Sequence, residues 1–211
     1  GIEDLNMPIH HTRQWCVDNS QYDLSVCLAA IRIQNWKRLY DSIIDSLSGK
    51  YSFELVFCSP EQELPTELQD KLNVKLITDF GCVTRANQIA ALACTGKYIN
   101  WASDDGWYFD YKLAEILDIL EEANTLKTVV IAKYVEGNQR CSNDMFALNY
   151  SNTTRSPYFP NSYLSFNFAV LRTNYFHELG GFDCQFEACP MAYADLAARA
   201  QRDLCNLIPL W

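Results

Sequence analysis

Along the chain the apolar residues change period again and again, and each change marks an element. Residues 24–31, LSVCLAAI, form a short unbroken apolar run of small and branched side chains, which predicts a buried strand. Trp36, Leu39, Tyr40, Ile43, Ile44 and Leu47 then recur at helical spacing, and Ser48-Gly49 is the stop signal. A strand over Phe53 to Cys58, a short helix over Pro65 to Leu72 and a strand over Val74 to Thr78 follow. The next helix runs from about Thr84 to Cys94 and is ended by Thr95-Gly96. Lys97 to Trp101 reads as a strand, Tyr111 to Ala123 as an amphipathic helix and Thr128 to Tyr134 as a further strand. This alternation predicts an α/β fold with a mostly parallel or mixed sheet flanked by helices, and with ligands at the carboxyl ends of its strands.

From Glu136 to Pro160 the pattern breaks into a polar, proline-punctuated stretch, longer than an ordinary connection, which predicts a binding loop or flap. Apolar residues resume at Ser165 to Leu171. A short helix near Thr173 to Leu179 ends at Gly180-Gly181, and another spans about Met191 to Arg202. The last run, NLIPLW, is apolar and stops without a cap or polar tail, so the chain reads as a piece of a longer one. With 49% of its 211 residues apolar, it can bury one sizeable core, and a single domain is the expectation.

Charge and cysteines narrow the function classes. The 17 basic residues are outnumbered by 26 acidic ones, which argues against nucleic acid or an anionic membrane held by bulk electrostatics. The nine cysteines show no CxxC and no zinc spacing; Cys27, Cys58 and Cys94 sit in apolar runs as small hydrophobes, which fits a reducing compartment. No apolar stretch is long enough to span a bilayer, and the first residues lack signal-peptide character, so a soluble, cytoplasmic protein is expected. Asn149-Tyr150-Ser151 and Asn152-Thr153-Thr154 match the glycosylation pattern but read as ordinary polar loop.

The chemistry concentrates at Ser103-Asp104-Asp105-Gly106, directly after a strand. Adjacent carboxylates repel, so such a pair is either left in water at a strand-end turn or given a cation. No GxGxxG follows the first strand and no GxxxxGK[ST] is present, which removes the dinucleotide and P-loop sites. The first strand ends in Ala29-Ala30-Ile31-Arg32, without the Asp that an aspartyl-phosphate enzyme needs there. Mg²⁺ and similar hard cations take one or two protein carboxylates and complete their shell with water and phosphate oxygens. The pair fits a metal that bridges protein and diphosphate.

Residues 83–106, VTRANQIAALACTGKYINWASDDG, resemble the stretch typical of family 2 glycosyltransferases of GT-A fold: an Arg-bearing turn, a helix, a Thr-Gly-Lys-Tyr strand entry and a DxD-type metal site. Residues 180–203, GGFDCQFEACPMAYADLAARAQRD, are similar to that family's downstream acceptor-site block. The resemblance covers about residues 24–204, with a nucleotide-sugar half at about 24–110 and an acceptor half at about 111–204. It implies transfer of a sugar from a nucleoside-diphosphate sugar, UDP-sugar favoured, to a hydroxyl of a glycan or other acceptor, with inversion and with Mn²⁺ or Mg²⁺ as cofactor.

In that register Ser103 replaces the first Asp of the DxD site, Asp105 takes the principal metal position, and Asp104 lies toward the ribose or diphosphate as the second metal-ligand candidate. Ala30 and Arg32 join the donor-binding set, and Arg85, near a helix start, is a candidate diphosphate clamp or a surface charge. The chain has Cys58-Ser59-Pro60 where the family holds uracil with an Asp, so Asp79 is the substitute acceptor. Ala192 and Tyr193 replace the usual Glu-Asp pair of the acceptor helix. The nearest carboxylate, Asp195, is therefore the candidate general base, with Glu187 and Asp183 as rivals and an ion pair to Arg199 as its structural alternative. Trp101 and Trp107 stack on a sugar or belong to the core, and His10, His11 and His177 show no ligand spacing. Two other functions stay open: a catalytically silent nucleotide-sugar or glycan binding module, and a sugar-phosphate nucleotidyltransferase, whose Gly-rich basic loop is missing from AAIRIQNWKR.

Overall fold

The computed structural model of the protein describes residues 20–108, 110–132, 135–136 and 168–210. The first apolar run is β1 (Tyr22–Ala29), and the strand period sorts its side chains: Leu24, Val26 and Leu28 enter the core on one face of the sheet and Cys27 the core on the other. A 3₁₀ turn (Ile33–Asn35) leads into α1 (Trp36–Leu47), which buries Trp36, Leu39, Tyr40, Ile43 and Leu47. Fully burying one such side chain is worth about 1.5–3 kcal/mol, so this stripe, with Trp36 stacked at 4.2 Å on Phe57, anchors the helix. The helix stops where expected, at Ser48 and Gly49, both in the left-handed region (φ 51° and 69°).

β2 (Phe53–Ser59) is buried along its whole length, having strands on both sides and a core on both faces. β3 (Val74–Thr78), α2 (Val83–Leu92), β4 (Gly96–Trp101), a two-residue β5 (Gly106–Trp107) and α3 (Lys112–Ala123) follow. Then come β6 (Thr128–Ala132), β7 (Val135–Glu136), β8 (Ala169–Arg172), α4 (Thr173–Glu178), α5 (Cys189–Arg202) and β9 (Asn206–Leu210). Seven strands form one sheet in the order β3-β2-β1-β4-β8-β6-β9, with α1 and α3 packed on one face and α2, α4 and α5 on the other. β1 to β4 are parallel, β8 runs antiparallel between β4 and β6, and β9 is parallel to β6. β5 and β7 pair separately as a small antiparallel ribbon. Among the described residues no helix is long and apolar enough to cross a membrane.

Two local expectations are corrected. The short helix expected over Pro65 to Leu72 is only a 3₁₀ turn, Thr66–Leu68: Leu68 alone is buried there and Leu72 is 97% exposed, so no apolar face offsets helix nucleation. Gly96 was expected to end a helix, yet α2 stops at Leu92 with Ala93 right-handed. The glycine is needed instead for close approach, since a Cβ there would lie 2.6 Å from the Ser25 amide nitrogen. The closing apolar run, to which no element was assigned, forms β9, where Pro209 is tolerated because the strand lies at the sheet edge. The flap over Glu136 to Pro160, apart from Glu136 itself, lies outside the described residues. So do both glycosylation-pattern tripeptides, His10 and His11.

The strand order places the site. From β1 the chain moves outward to β2 and β3, then returns as β4 on the other side of β1. Connections therefore leave β1 and β4 in opposite directions, and their carboxyl ends open a crevice between them.

Candidate functional site

Asp104 and Asp105 follow β4 on the rim of this crevice, in a turn closed by the Gly106 N–H donating to the Ser103 carbonyl at 3.1 Å. The fold separates the two carboxylates. Asp104 is only 2% exposed. Its Oδ2 accepts the backbone N–H groups of Ile31 at 2.7 Å and Arg32 at 2.5 Å, and its Oδ1 accepts Arg32 Nη1 at 2.7 Å. Three donors, one of them charged, offset the desolvation of this carboxylate and tie the end of β4 to the segment after β1. Asp105 is more open, with its side chain 26% exposed. Its Oδ1 accepts the Ser103 hydroxyl, and its Oδ2 lies 3.8 Å from Arg32 Nη1.

The pair borders a cavity of about 380 Å³ whose wall includes Ala30, Arg32, Asp79, Asn87, Trp107 and Tyr193. Arg32 is the one Lys or Arg among its described lining residues; Asp79, Asp104 and Asp105 are the carboxylates. Asp79 stands just past β3. It accepts the Gly81 N–H at 2.9 Å and the Arg85 guanidinium, with Nη2 at 3.0 Å and Nε at 3.2 Å. The Arg85 pair, helped by the Gly81 amide, holds the Asp79 carboxyl below its usual range. Gly81 permits this packing, because a Cβ there would fall 2.4 Å from Arg85 Cδ. Arg85 thus sits on Asp79 and is not part of the cavity wall. Cys58 lies in the wall, and burial pushes its thiol up to about 11, so it is neutral.

Asn87, on the inner face of α2, was not singled out from sequence. Its Oδ1 accepts the Ala29 N–H at 2.7 Å, while its Nδ2 donates to Tyr193 Oη and to Cys189 Sγ, both at 3.1 Å. One buried amide therefore joins the end of β1 to the start of α5. The available signal was a polar residue on the stripe shared with Ala90 and Ala91, where an amphipathic helix puts its core contacts.

The acceptor-side candidates are not brought to the cavity. Asp195 Oδ2 lies 2.8 Å from both Nε and Nη2 of Arg199, one helical turn away. That guanidinium in turn donates to the Leu179 carbonyl and, at 2.6 Å, to the Gly181 carbonyl. Asp195, Asp183 and Glu187 are all absent from the cavity lining. Tyr193 is present there, with its phenol kept neutral by burial. Trp101 is a buried core residue, edge-on to Phe182 at 5.3 Å, that also reaches the cavity wall, and Trp107 lines the cavity with Arg38 at 4.6 Å from its ring centre. His177 is buried and pushed down to about 4 by desolvation, hence neutral.

Among the described residues no group of three or more His, Cys, Asp or Glu could hold a metal alone. One open carboxylate with a hydroxyl on its other oxygen is a hard, incomplete donor set. That set suits Mg²⁺ or Mn²⁺ shared with a ligand's phosphate oxygens and does not suit a closed protein cage.

No protein-family model and no curated protein matches this chain. Solved structures do. S. aureus TarS 1-349 is 18% identical, with 89% of this chain and 58% of that one covered at a TM-score of 0.62. The same protein in complex with UDP-GlcNAc is 16% identical, with 89% and 56% covered, also at 0.62. The mannosyltransferase PcManGT from Pyrobaculum calidifontis, in complex with GDP-Man and Mn²⁺, is 13% identical, with 99% and 63% covered at 0.63. This chain therefore spans 56 to 63% of their lengths. At such identities the likeness is one of architecture: the chain has a GT-A-like fold, shared with these structures.

Proposed function

We propose that this chain is the catalytic part of a glycosyltransferase of the family 2 type, transferring a sugar from a nucleoside-diphosphate sugar to an acceptor hydroxyl. One observation carries the reading. In a crevice at the topological switch point, an acidic pair is divided into a locked carboxylate, Asp104, and an open one, Asp105, beside the wall's described cation, Arg32. The similar structures in complex with UDP-GlcNAc and with GDP-Man and Mn²⁺ support a nucleotide-sugar donor. UDP-sugar is our favoured donor and GDP-sugar the competing one.

In this reading Asp105, steadied by Ser103, holds Mn²⁺ or Mg²⁺ jointly with the donor diphosphate. When bound, the cation neutralises charge that develops on the leaving diphosphate. Asp104 fixes the floor by clamping the Ile31 and Arg32 amides beside Ala30, and Arg32 meets the diphosphate. Asp79 accepts a base N–H, with Arg85 orienting it rather than clamping phosphate. Attack by the acceptor from the face opposite the leaving group would invert the anomeric centre. Asp195 takes a positioning role through Arg199, since no carboxylate of α5 lines the described cavity wall.

One observation favours a second reading, a silent binding module. Where the family's acceptor helix carries acids, this chain has the buried Ala192 and a Tyr193 whose hydroxyl already accepts Asn87. Incubation with UDP- and GDP-sugars and Mn²⁺, reading nucleoside-diphosphate release, separates the cases. The expected result is turnover in the wild type, lost in Asp105→Ala, whose unliganded melt is unchanged. Mn²⁺-dependent donor affinity that survives in Asp105→Ala would remove the proposal. Donor binding without any turnover would select the module, and pyrophosphate release from a nucleoside triphosphate plus sugar phosphate the nucleotidyltransferase.

A further inference from the structure

The guanidinium that locks Asp104 also stands over the oxygen left open on Asp105. Arg32 Nη1 is 2.7 Å from Asp104 Oδ1 and 3.8 Å from Asp105 Oδ2. It is anchored there, because Asp104 is itself pinned by two backbone N–H groups and only 2% exposed. The Arg32 side chain is nonetheless 45% exposed and part of the cavity wall, so it faces whatever enters.

A divalent cation bound to Asp105 at the usual metal–oxygen distance would lie within about 6 Å of this fixed positive charge. Two carboxylates and one guanidinium leave the trio a formal charge of only −1. That is a poor match for a dication, whose water shell must be partly given up on binding. A nucleoside diphosphate changes the balance, since its phosphate oxygens can meet the cation and the guanidinium together.

We propose that Arg32 makes metal entry conditional on the diphosphate, so that metal and nucleotide bind as a coupled pair and the unliganded site has little affinity for the metal alone. This rests on the nucleotide-sugar reading above. Coupling is reciprocal: the nucleotide raises metal affinity by the same factor as the metal raises nucleotide affinity. Arg32 is therefore a specificity-determining residue for the order and tightness of cofactor loading, acting through the phosphate that it and the cation share.

The test titrates Mn²⁺ alone, followed as free Mn²⁺ by electron paramagnetic resonance, and repeats the titration with UDP or GDP present. In the wild type the nucleotide should raise Mn²⁺ affinity by on the order of a hundredfold, near the upper end of typical couplings. Arg32→Gln brings the trio to −2, and should bind Mn²⁺ alone about tenfold more tightly while the coupling shrinks by a similar factor. Arg32→Lys keeps the charge and should stay close to the wild type. Equal Mn²⁺ affinity with and without nucleotide in the wild type would overturn the inference, and this comparison decides even if Arg32→Gln fails to fold. So would coupling in Arg32→Gln equal to the wild type's, or equal losses in the Gln and Lys variants. Failure of both UDP and GDP to bind with Mn²⁺ in any arm would overturn the nucleotide-sugar reading itself, and this inference with it.

Discussion

Glu54 shows how far a single residue can depart from what its neighbourhood in sequence implies. It sits in the middle of an apolar strand, with no exposure, yet its Oε1 accepts Ser25 Oγ at 2.6 Å, the Thr95 N–H at 2.5 Å and Thr95 Oγ1 at 2.9 Å, while Lys75 Nζ lies 2.7 Å from Oε2. Burial pushes its carboxyl up, but Lys75, Ser25 and Thr95 together outweigh that and hold it below its ordinary 4.5. A carboxyl depressed in the native state adds stability that is complete above its unfolded value and is lost as pH falls through the native one. Chemical denaturation between pH 7 and pH 3 should therefore show stability falling below about 4.5, and Glu54→Gln should remove part of that slope and cost about 1–3 kcal/mol at neutral pH. An unaltered slope in the variant would assign the acid sensitivity elsewhere. At this scale the sequence was legible for identity and not for partition. Asp104 and Asp105 stood out as a pair, but which one is buried depends on the amides of residues 31 and 32, some seventy positions earlier. Asn87 is illegible for the same reason, because its partners are Ala29, Tyr193 and Cys189, all far away in sequence.

At the scale of elements, Arg199, oriented by Asp195 one turn earlier on α5, ties that helix to the segment after α4. Arg199 reaches the Leu179 and Gly181 carbonyls, so it closes the end of α4 and the left-handed Gly180-Gly181 turn (φ 93° and 65°). Arg199→Ala should lower stability by about 1–3 kcal/mol, since two carbonyls and a carboxylate lose a charged donor. Asp195→Asn keeps an acceptor for Arg199 and should leave donor turnover within a few-fold of the wild type. A loss of a hundredfold or more in transfer with an unchanged melt would instead restore Asp195 as the general base. Elements defined by local period were readable: β3 occupies the expected Val74–Thr78, and α1 carries the expected stripe and stop. Those defined by partners were not. The turn at Thr66–Leu68 and the strand at Asn206–Leu210 depend on whether a distant surface buries them, which period alone does not encode.

For the whole molecule, the α/β alternation and the crevice beyond the strand ends were legible because parallel strands need long crossover connections, which are usually helical. The antiparallel β8 between β4 and β6 was not, since strand order is a property of contacts far apart in sequence. The central claim, that this crevice takes a nucleotide sugar through a metal shared with Asp105, is tested most directly by thermal unfolding with UDP- and GDP-sugars, with and without Mn²⁺. At a hundred times its dissociation constant a ligand stabilises the fold by about 2.7 kcal/mol, and each kcal/mol moves the melting temperature of a chain this size by roughly 2–4 °C. The account predicts a shift of that order for at least one nucleotide sugar, present only with Mn²⁺ and absent in Asp105→Ala. No shift with any nucleotide sugar, or the same shift in Asp105→Ala, would contradict it.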